Sequence, residues 1–181
     1  MKSKITVRRI TYNAVMLALL CVLGMLALPL GTNIKVSVQL LFVFVIALTA
    51  SSWIDTIIVT GLYLVLGLFM PIYAGFGFGL SPTFGYVISF VVISPLIYFL
   101  NKLPKLRPIL RMSIACVSGL LVCYTIGTIF MMLYLSWDLG ATLLVSVVPY
   151  IPFDIFKIVV AILIVLILPK SLFIDKTKAS E

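Results

Sequence analysis

Histidine is absent from this 181-residue sequence, and cysteine occurs at only three positions, Cys21, Cys116 and Cys123. All three cysteines lie inside apolar stretches, and the chain has no CxxC pair. Zinc sites in proteins are built from closely spaced cysteine and histidine ligands. The sequence therefore predicts no metal site and no cofactor, and we interpret the cysteines as packing residues.

Charged residues are also scarce, at 10% of the chain, and five acidic residues stand against thirteen basic ones. Hydrophobic residues make up 64% of the sequence, and the mean hydropathy is +1.32. Soluble globular domains have far fewer apolar residues and more charge. The composition predicts an integral membrane protein in which residues 1–181 form one membrane domain.

Motifs for nucleotides, nucleic acids and catalysis are missing as well. No GxxxxGK[ST] run is present to hold phosphates, so we expect no ATPase site in this chain. The net charge of +8 comes mostly from residues that flank apolar runs, which favours contact with anionic membrane lipid over nucleic acid. Without histidine, and with a single acid–lysine pair in an apolar run, the chain offers no catalytic set and is predicted not to be an enzyme.

Apolar runs of near-membrane length divide the chain into candidate helices. A bilayer core of ~30 Å requires about 20 apolar residues per helix. Six runs approach this length, at residues 12–30, 36–50, 54–69, 82–100, 111–135 and 152–168. We therefore predict an all-α membrane protein, a compact bundle of six transmembrane helices.

Basic residues are concentrated on one predicted side of this bundle. Eleven of the thirteen precede the first run, separate the fourth from the fifth, or follow the sixth: Lys2, Lys4, Arg8, Arg9, Lys102, Lys105, Arg107, Arg111, Lys170, Lys176 and Lys178. Short cytoplasmic segments of membrane proteins accumulate Lys and Arg. Both termini are therefore predicted to be cytoplasmic.

Asp154 and Lys157 form a charged pair inside the last apolar run. A spacing of three places them on one face of a helix, where they can interact. Charges within a membrane are costly unless they are paired or hydrated. The two residues are either a structural ion pair or, as we favour, the polar part of a ligand site. Gln39, early in the second run, is a further polar group available to a buried ligand.

The segment between the third and fourth runs combines glycines with aromatic residues. Glycine occupies every second position from Gly75 to Gly79, and the aromatic residues Tyr73 and Phe76 lie in the same segment. Glycine gives the backbone freedom, and aromatic rings give apolar faces. This pattern predicts either a lid whose Tyr73, Gly75 and Phe76 contact a ligand or an ordinary interfacial loop.

Small residues lie along one side of the first run. Ala14 and Ala18 form an AxxxA step that Cys21 and Gly24 continue. Such residues let helices approach closely in lipid. We expect a helix contact on this face, either within the bundle or with a partner subunit.

Three segments together resemble a known family. They are Val36-Ser37-Val38-Gln39-Leu40-Leu41-Phe42-Val43, then Pro71-Ile72-Tyr73-Ala74-Gly75 leading into Gly79-Leu80-Ser81-Pro82-Thr83-Phe84-Gly85-Tyr86, and finally Ile151-Pro152-Phe153-Asp154-Ile155-Phe156-Lys157. The chain resembles the BioY family, the biotin-specific substrate-binding (S) components of energy-coupling factor (ECF) transporters.

The resemblance implies an outward-facing pocket that binds biotin for import across a prokaryotic plasma membrane, with biotin as the transported ligand. It implies ligand contacts from Tyr86 and Phe153, which lie in the Pro-Thr-x-Gly-Tyr and Pro-x-Asp-x-x-Lys patterns. It also implies that a coupling transmembrane subunit, which carries two ATPase subunits, docks on the face with Ala14 and Ala18.

The chain departs from the family pattern near the predicted pocket. Phe153 stands where family members usually have Gly, and Ser81-Pro82-Thr83-Phe84-Gly85-Tyr86 stands where they usually have Gly-Pro-Thr-Gly-Gly-Tyr, so that Phe84 replaces the second glycine of that run. Two phenylalanines near the predicted pocket would narrow it, which leaves lipoate or another small acid open as the ligand. A structural or assembly subunit without a ligand is the second alternative.

Overall fold

Seven α-helices and a two-stranded hairpin form the described part of the chain, residues 7–30, 34–104 and 106–168 of a computed structural model. The helices are α1 (Val7–Gly24), α2 (Gln39–Thr49), α3 (Trp53–Phe69), α4 (Phe84–Leu100), α5 (Pro108–Leu135), α6 (Leu139–Ser146) and α7 (Ile151–Ile167). The strands β1 (Ala27–Leu30) and β2 (Ile34–Ser37) pair antiparallel. The predicted helical architecture is confirmed, and the hairpin is a departure from the all-α prediction.

Helix α2 lies at the centre of the bundle. Ten of its eleven residues are buried, and it packs against α1, α3, α4 and α7. Between Gln39 and Thr49 its sequence is entirely apolar. A helix that is apolar on all sides is stable where neighbours surround it, which explains this central position.

The hairpin corrects the predicted bounds of the first two spans, 12–30 and 36–50. Helix α1 ends at Gly24, and residues 27–30 pair with residues 34–37 instead of extending the helix. Pro29 lacks the N–H that a helix interior requires, but a two-stranded ribbon tolerates it. Helix α2 consequently begins at Gln39, and its 11 residues extend about 16 Å at ~1.5 Å per residue.

The other four predicted runs correspond to α3, α4, α5 and α7, with ends that differ by three residues or fewer. Within the described residues, three segments are long and apolar enough to cross a membrane: Val7–Gly24, Pro108–Leu135 and Leu139–Ile167. The last of these joins α6 to α7 through a short 3₁₀ turn. Helices α2, α3 and α4 are apolar but shorter.

Helix α6 occupies a stretch that the six runs leave as a connection. Asp138 is the N-cap of this helix, because its Oδ2 accepts a hydrogen bond from the backbone N–H of Ala141 at 3.0 Å. Eight residues are too few to span a bilayer. The predicted loop between the fifth and sixth spans is therefore partly helical.

Polar side chains hold α1 against α3 at one end of the bundle. Arg9 Nε donates to Oδ1 and Oδ2 of Asp55 at 2.8 and 2.7 Å, and Asn13 Nδ2 donates to Oδ1 at 2.8 Å. Asp55 lies in the first turn of α3 and is 3% exposed. The opposite side of α1, which carries Ala14 and Ala18, is exposed.

Other basic residues lie at this same end. Tyr98, near the end of α4, donates its hydroxyl to the carbonyl of Ser51 just before α3, and the Lys102 ammonium lies over the Tyr98 ring. Arg111 Nε donates to Asn101 Oδ1 at 3.3 Å. Six basic residues used in the orientation prediction lie outside the described residues: Lys2, Lys4, Lys105, Lys170, Lys176 and Lys178.

Candidate ligand-binding site

A cavity of about 460 Å³ lies at the other end of the bundle, where α3 ends and the loop of residues 70–83 begins. Its wall is mainly apolar and is contributed by α2, that loop, α4, α5, α6 and α7. Small-molecule sites in proteins are typically apolar cavities of ~300–1,000 Å³ with a few polar groups. The polar side chains that helices contribute to this wall include Gln39, Tyr86, Tyr124, Ser146, Tyr150, Asp154 and Lys157.

Asp154 and Lys157 form the ion pair that their spacing predicts. Lys157 Nζ lies 2.6 Å from Asp154 Oδ1, and both residues are buried on the cavity wall. Helix α7 begins at Ile151 with Pro152 in its first turn, so that both side chains project from one face near the helix start. The pair is electrically neutral and keeps further donor and acceptor capacity, which suits a neutral ligand group with several hydrogen-bonding atoms.

Tyr124 of α5 completes this site, although the sequence analysis did not identify it. Its hydroxyl donates a 2.6 Å hydrogen bond to Oδ2 of Asp154. Each carboxylate oxygen thus accepts one protein hydrogen bond, and each keeps a lone pair for a ligand. The only signal in the sequence is a polar ring within the apolar α5, and its partner lies 30 residues away.

Gln39, which we expected to be available to a ligand, lines the cavity, and a chain of hydrogen bonds fixes its position. Its Nε2 donates to the hydroxyl of Tyr63, which in turn donates to the carbonyl of Ile72 at 3.0 Å. Gly24, at the end of α1, faces the same tyrosine, and a Cβ there would lie 2.8 Å from the hydroxyl oxygen. The end of α1, the cavity wall and the start of the 70–83 loop therefore meet at Tyr63.

The 70–83 loop forms a tight turn between Tyr73 and Gly77, whose backbone groups exchange hydrogen bonds of 2.9 and 3.2 Å. Gly75 and Phe76 have φ angles of 67° and 61°, in the left-handed region that favours glycine. Gly75 also donates its N–H to the carbonyl of Met25 at 3.0 Å. Tyr73 lines the cavity, but the turn places Gly75 and Phe76 away from its wall, with Phe76 68% exposed.

Tyr73 is held in place by α3. Its hydroxyl donates to the carbonyl of Leu64 at 2.6 Å, and its ring lies directly on Gly67, where no side chain would fit. Its ring also packs edge-on against Tyr63. The loop is therefore anchored at Tyr73, next to the exposed turn.

Tyr86, for which the family resemblance implies a ligand contact, lines the cavity from the first turn of α4. Its ring packs on Gly127 of α5, a position that leaves no room for a Cβ. Its hydroxyl donates to the carbonyl of Ser146 at 3.4 Å. Tyr86 thus joins α4, α5 and α6 at the wall.

Neither phenylalanine that departs from the family pattern lies on the cavity wall. Phe84 is buried between Tyr73 and Phe130, with ring centroids 6.2 and 5.9 Å apart. Phe153, predicted to contact the ligand, is only partly buried and is not part of the wall. The two substitutions therefore do not narrow the cavity directly.

Within the described residues, no group of three or more His, Cys, Asp or Glu side chains is placed to hold a metal ion. Cys116 and Cys123 are buried free thiols, and Cys123 accepts a hydrogen bond from Ser89 at 3.0 Å. The polar chemistry of the cavity consequently comes from the ion pair, the glutamine and the hydroxyl groups.

Comparison with known proteins agrees with this arrangement. A model of the BioY family matches residues 1–173. The chain is 29% identical to "Biotin transporter BioY" of Thermotoga maritima over 167 residues, which cover 90% of this chain and 96% of the relative. It is also similar in structure to the S-component for biotin from an ECF-type ABC transporter, with a TM-score of 0.80 and 24% identity, over 91% of this chain and 92% of that chain.

The structural similarity, at this level of identity, shows a shared fold. The family model extends over almost the whole sequence and includes the hairpin, the 70–83 loop and the helix with the ion pair. The chain therefore belongs to the BioY family.

Proposed function

We propose that this chain is the S component of an ECF-type uptake transporter and that its ligand is biotin. Family membership and the relative named as a biotin transporter support this class of protein. The single observation that carries the ligand assignment is the buried, neutral Asp154–Lys157 pair on the wall of the apolar cavity. Biotin combines a compact ring system, a ureido group and a carboxylate tail. Its rings require an apolar wall, and its ureido group requires hydrogen-bond donors and acceptors such as those of the ion pair.

The ureido group is the part of biotin that matches the ion pair. Its N–H groups donate, which suits the Asp154 carboxylate, and its carbonyl accepts, which suits the Lys157 ammonium. Tyr124 keeps the carboxylate oriented for this contact through its 2.6 Å hydrogen bond. The apolar wall then covers the rings, as at other small-molecule sites.

The proposed topology has six spans, both termini in the cytoplasm of a prokaryotic cell and the cavity opening outward. Arg9, Lys102 and Arg111 lie at the bundle end opposite the cavity, which supports this orientation because basic residues accumulate on the cytoplasmic side. The short helices α2, α3 and α4 belong to the six spans in this proposal. An accessibility assay on cysteines introduced at Phe76 and at Lys102 tests the orientation, with labelling from outside expected only at position 76.

The proposed partner is a coupling transmembrane subunit that docks on α1 and carries two ATPase subunits. Ala14 and Ala18 lie on an exposed stripe of α1 beside Val15, which is 50% exposed. Small side chains on an otherwise apolar stripe permit close helix contact in lipid. In this arrangement the chain binds the vitamin, and ATP hydrolysis belongs to the other subunits.

The test of the proposed function is a ligand panel on purified, detergent-solubilised protein. Biotin, lipoate and riboflavin are titrated separately by calorimetry, and retained small molecules are identified by mass spectrometry after denaturation. Saturable binding of biotin alone supports the assignment. Preferential binding of lipoate would make this chain an S component for another acid, and the absence of any binding by folded protein would favour a structural subunit.

A further inference from the structure

Helix α6 has an unusual distribution of polar and apolar residues. Leu143 and Leu144 are exposed away from the cavity, whereas Thr142 and Ser146 are 0% and 7% exposed. A helix at the surface of a soluble protein shows the reverse pattern. In a membrane protein, this arrangement turns the apolar side towards lipid and presents two hydroxyl groups, one turn apart, to the protein interior.

The two hydroxyl groups differ in their partners. Thr142 Oγ1 donates to the carbonyl of Asp138 at 2.8 Å, within its own helix. Ser146 Oγ is buried and has no hydrogen-bond partner among the described residues, and Ser146 lies on the cavity wall. An unsatisfied buried hydroxyl destabilises the fold, and such groups in native proteins call for an explanation. A ligand atom in the cavity would satisfy Ser146.

Tyr86 provides a second hydroxyl at the same place. Its hydroxyl donates a long hydrogen bond of 3.4 Å to the carbonyl of Ser146, the Ser146 and Thr128 side chains lie near it, and it also lines the cavity. An O–H group can rotate towards a better acceptor when one arrives. Two hydroxyl groups thus lie beside each other on the cavity wall, and the hydrogen bond from Tyr86 to the Ser146 carbonyl is long.

The charges at the ion pair indicate which ligand group these donors take. Lys157 Nζ is already 2.6 Å from the Asp154 carboxylate. A ligand carboxylate on the same ammonium would sit next to Asp154 and leave a net negative charge in a buried site, which is unfavourable. A neutral group at the ion pair avoids this repulsion, and the ligand carboxylate then requires donors elsewhere.

We infer that Ser146 Oγ and Tyr86 OH form a hydroxyl subsite that donates hydrogen bonds to the carboxylate of the ligand's tail. This inference rests on the proposed function, because it presumes a ligand with one neutral polar end and one carboxylate. It assigns the ureido group to Asp154 and Lys157 and the tail to the hydroxyl subsite. It also makes Ser146 a determinant of specificity for acids over neutral analogues.

The test measures the affinity of two ligands for matched variants of the full-length, purified protein. Ser146→Ala and Tyr86→Phe are titrated with biotin and with an analogue whose tail carboxyl is replaced by methyl. We expect each variant to lose about tenfold in affinity for biotin, the usual effect of one hydrogen bond to a charged group, and less than twofold for the analogue. Thr142→Val, which removes a buried hydroxyl from the same helix face away from the cavity, is the matched control and should bind both ligands normally.

Either of two results would overturn the hydroxyl subsite. One is unchanged biotin affinity in both Ser146→Ala and Tyr86→Phe, and the other is an equal loss for biotin and the methyl analogue. These outcomes are separable from failure of the proposed function, in which the unmodified protein itself would not bind biotin. A monodisperse elution profile for every variant confirms that folded proteins are compared.

Discussion

The hydroxyl of Tyr124 on α5 lies 2.6 Å from Oδ2 of Asp154 on α7, while Lys157 lies 2.6 Å from the other oxygen of the same carboxylate. The carboxylate is therefore held from two helices at once. A side chain fixed in this way loses little freedom when a ligand binds, which favours affinity. This contact makes Tyr124 a positioning residue for the ion pair.

Replacing this tyrosine tests its positioning role. Tyr124→Phe removes one hydrogen bond to a charged group, worth ~1.5–3 kcal/mol, and should reduce biotin affinity by about tenfold. Tyr134→Phe, on the exposed surface of the same helix, is the matched control and should bind normally. Calorimetry on both folded variants provides the comparison, and equal affinities in the two would refute the role.

The turn between Tyr73 and Gly77 gives a second prediction, on ligand exchange. Gly75→Ala places a Cβ at a φ of 67°, which costs ~1–2 kcal/mol, and should slow biotin exchange or weaken affinity several-fold if the loop acts as a lid. Gly61→Ala in α3 is the control, because Gly61 lies away from the cavity wall and a Cβ there meets no atom within 4 Å. Stopped-flow measurement of on- and off-rates distinguishes the two variants. Identical rates in both and in the unmodified protein would exclude a lid.

The features that could be predicted are those that depend on residues close together along the chain. The ion pair was predictable because a spacing of three places Asp154 and Lys157 on one helix face, and the apolar runs located most helices. The hairpin was missed because Ala27–Leu30 is apolar enough to read as the end of a span, although Pro29 argues against a helix there. Tyr124 was missed because its contact with Asp154 is purely tertiary.

The exposed side of α1 gives a third prediction, on assembly. Ala14→Trp or Ala18→Trp should abolish co-purification with the coupling subunit and biotin uptake, since a bulky ring prevents close helix approach. Biotin affinity of the isolated variants should stay within about twofold, because neither alanine lines the cavity. Thr125→Trp, at an exposed position of α5, is the matched control and should assemble normally. Normal assembly of both alanine variants would place the docking surface elsewhere.

The Arg9–Asp55 ion pair gives a fourth prediction, on stability. Asp55→Leu removes the carboxylate that Arg9 and Asn13 share and should destabilise the protein by ~3–5 kcal/mol, because it leaves the Arg9 charge without this partner. The double variant Arg9→Leu/Asp55→Leu should recover much of this loss, since an apolar pair avoids the desolvation of both charges. Thermal unfolding in detergent measures the difference. A double variant as unstable as Asp55→Leu would contradict the prediction.

The most direct test of the ligand site is a biotin titration of the unmodified protein, Asp154→Asn and Lys157→Met, each purified and shown to be folded. Truncating either partner removes a ligand contact and leaves the other charge buried without its counter-ion, an effect of ~2–5 kcal/mol. We predict saturable biotin binding by the unmodified protein and at least a thirtyfold loss in each variant, about 2 kcal/mol. Near-normal affinity in both folded variants, with only stability or yield reduced, would show that the pair is structural and would contradict the proposed site.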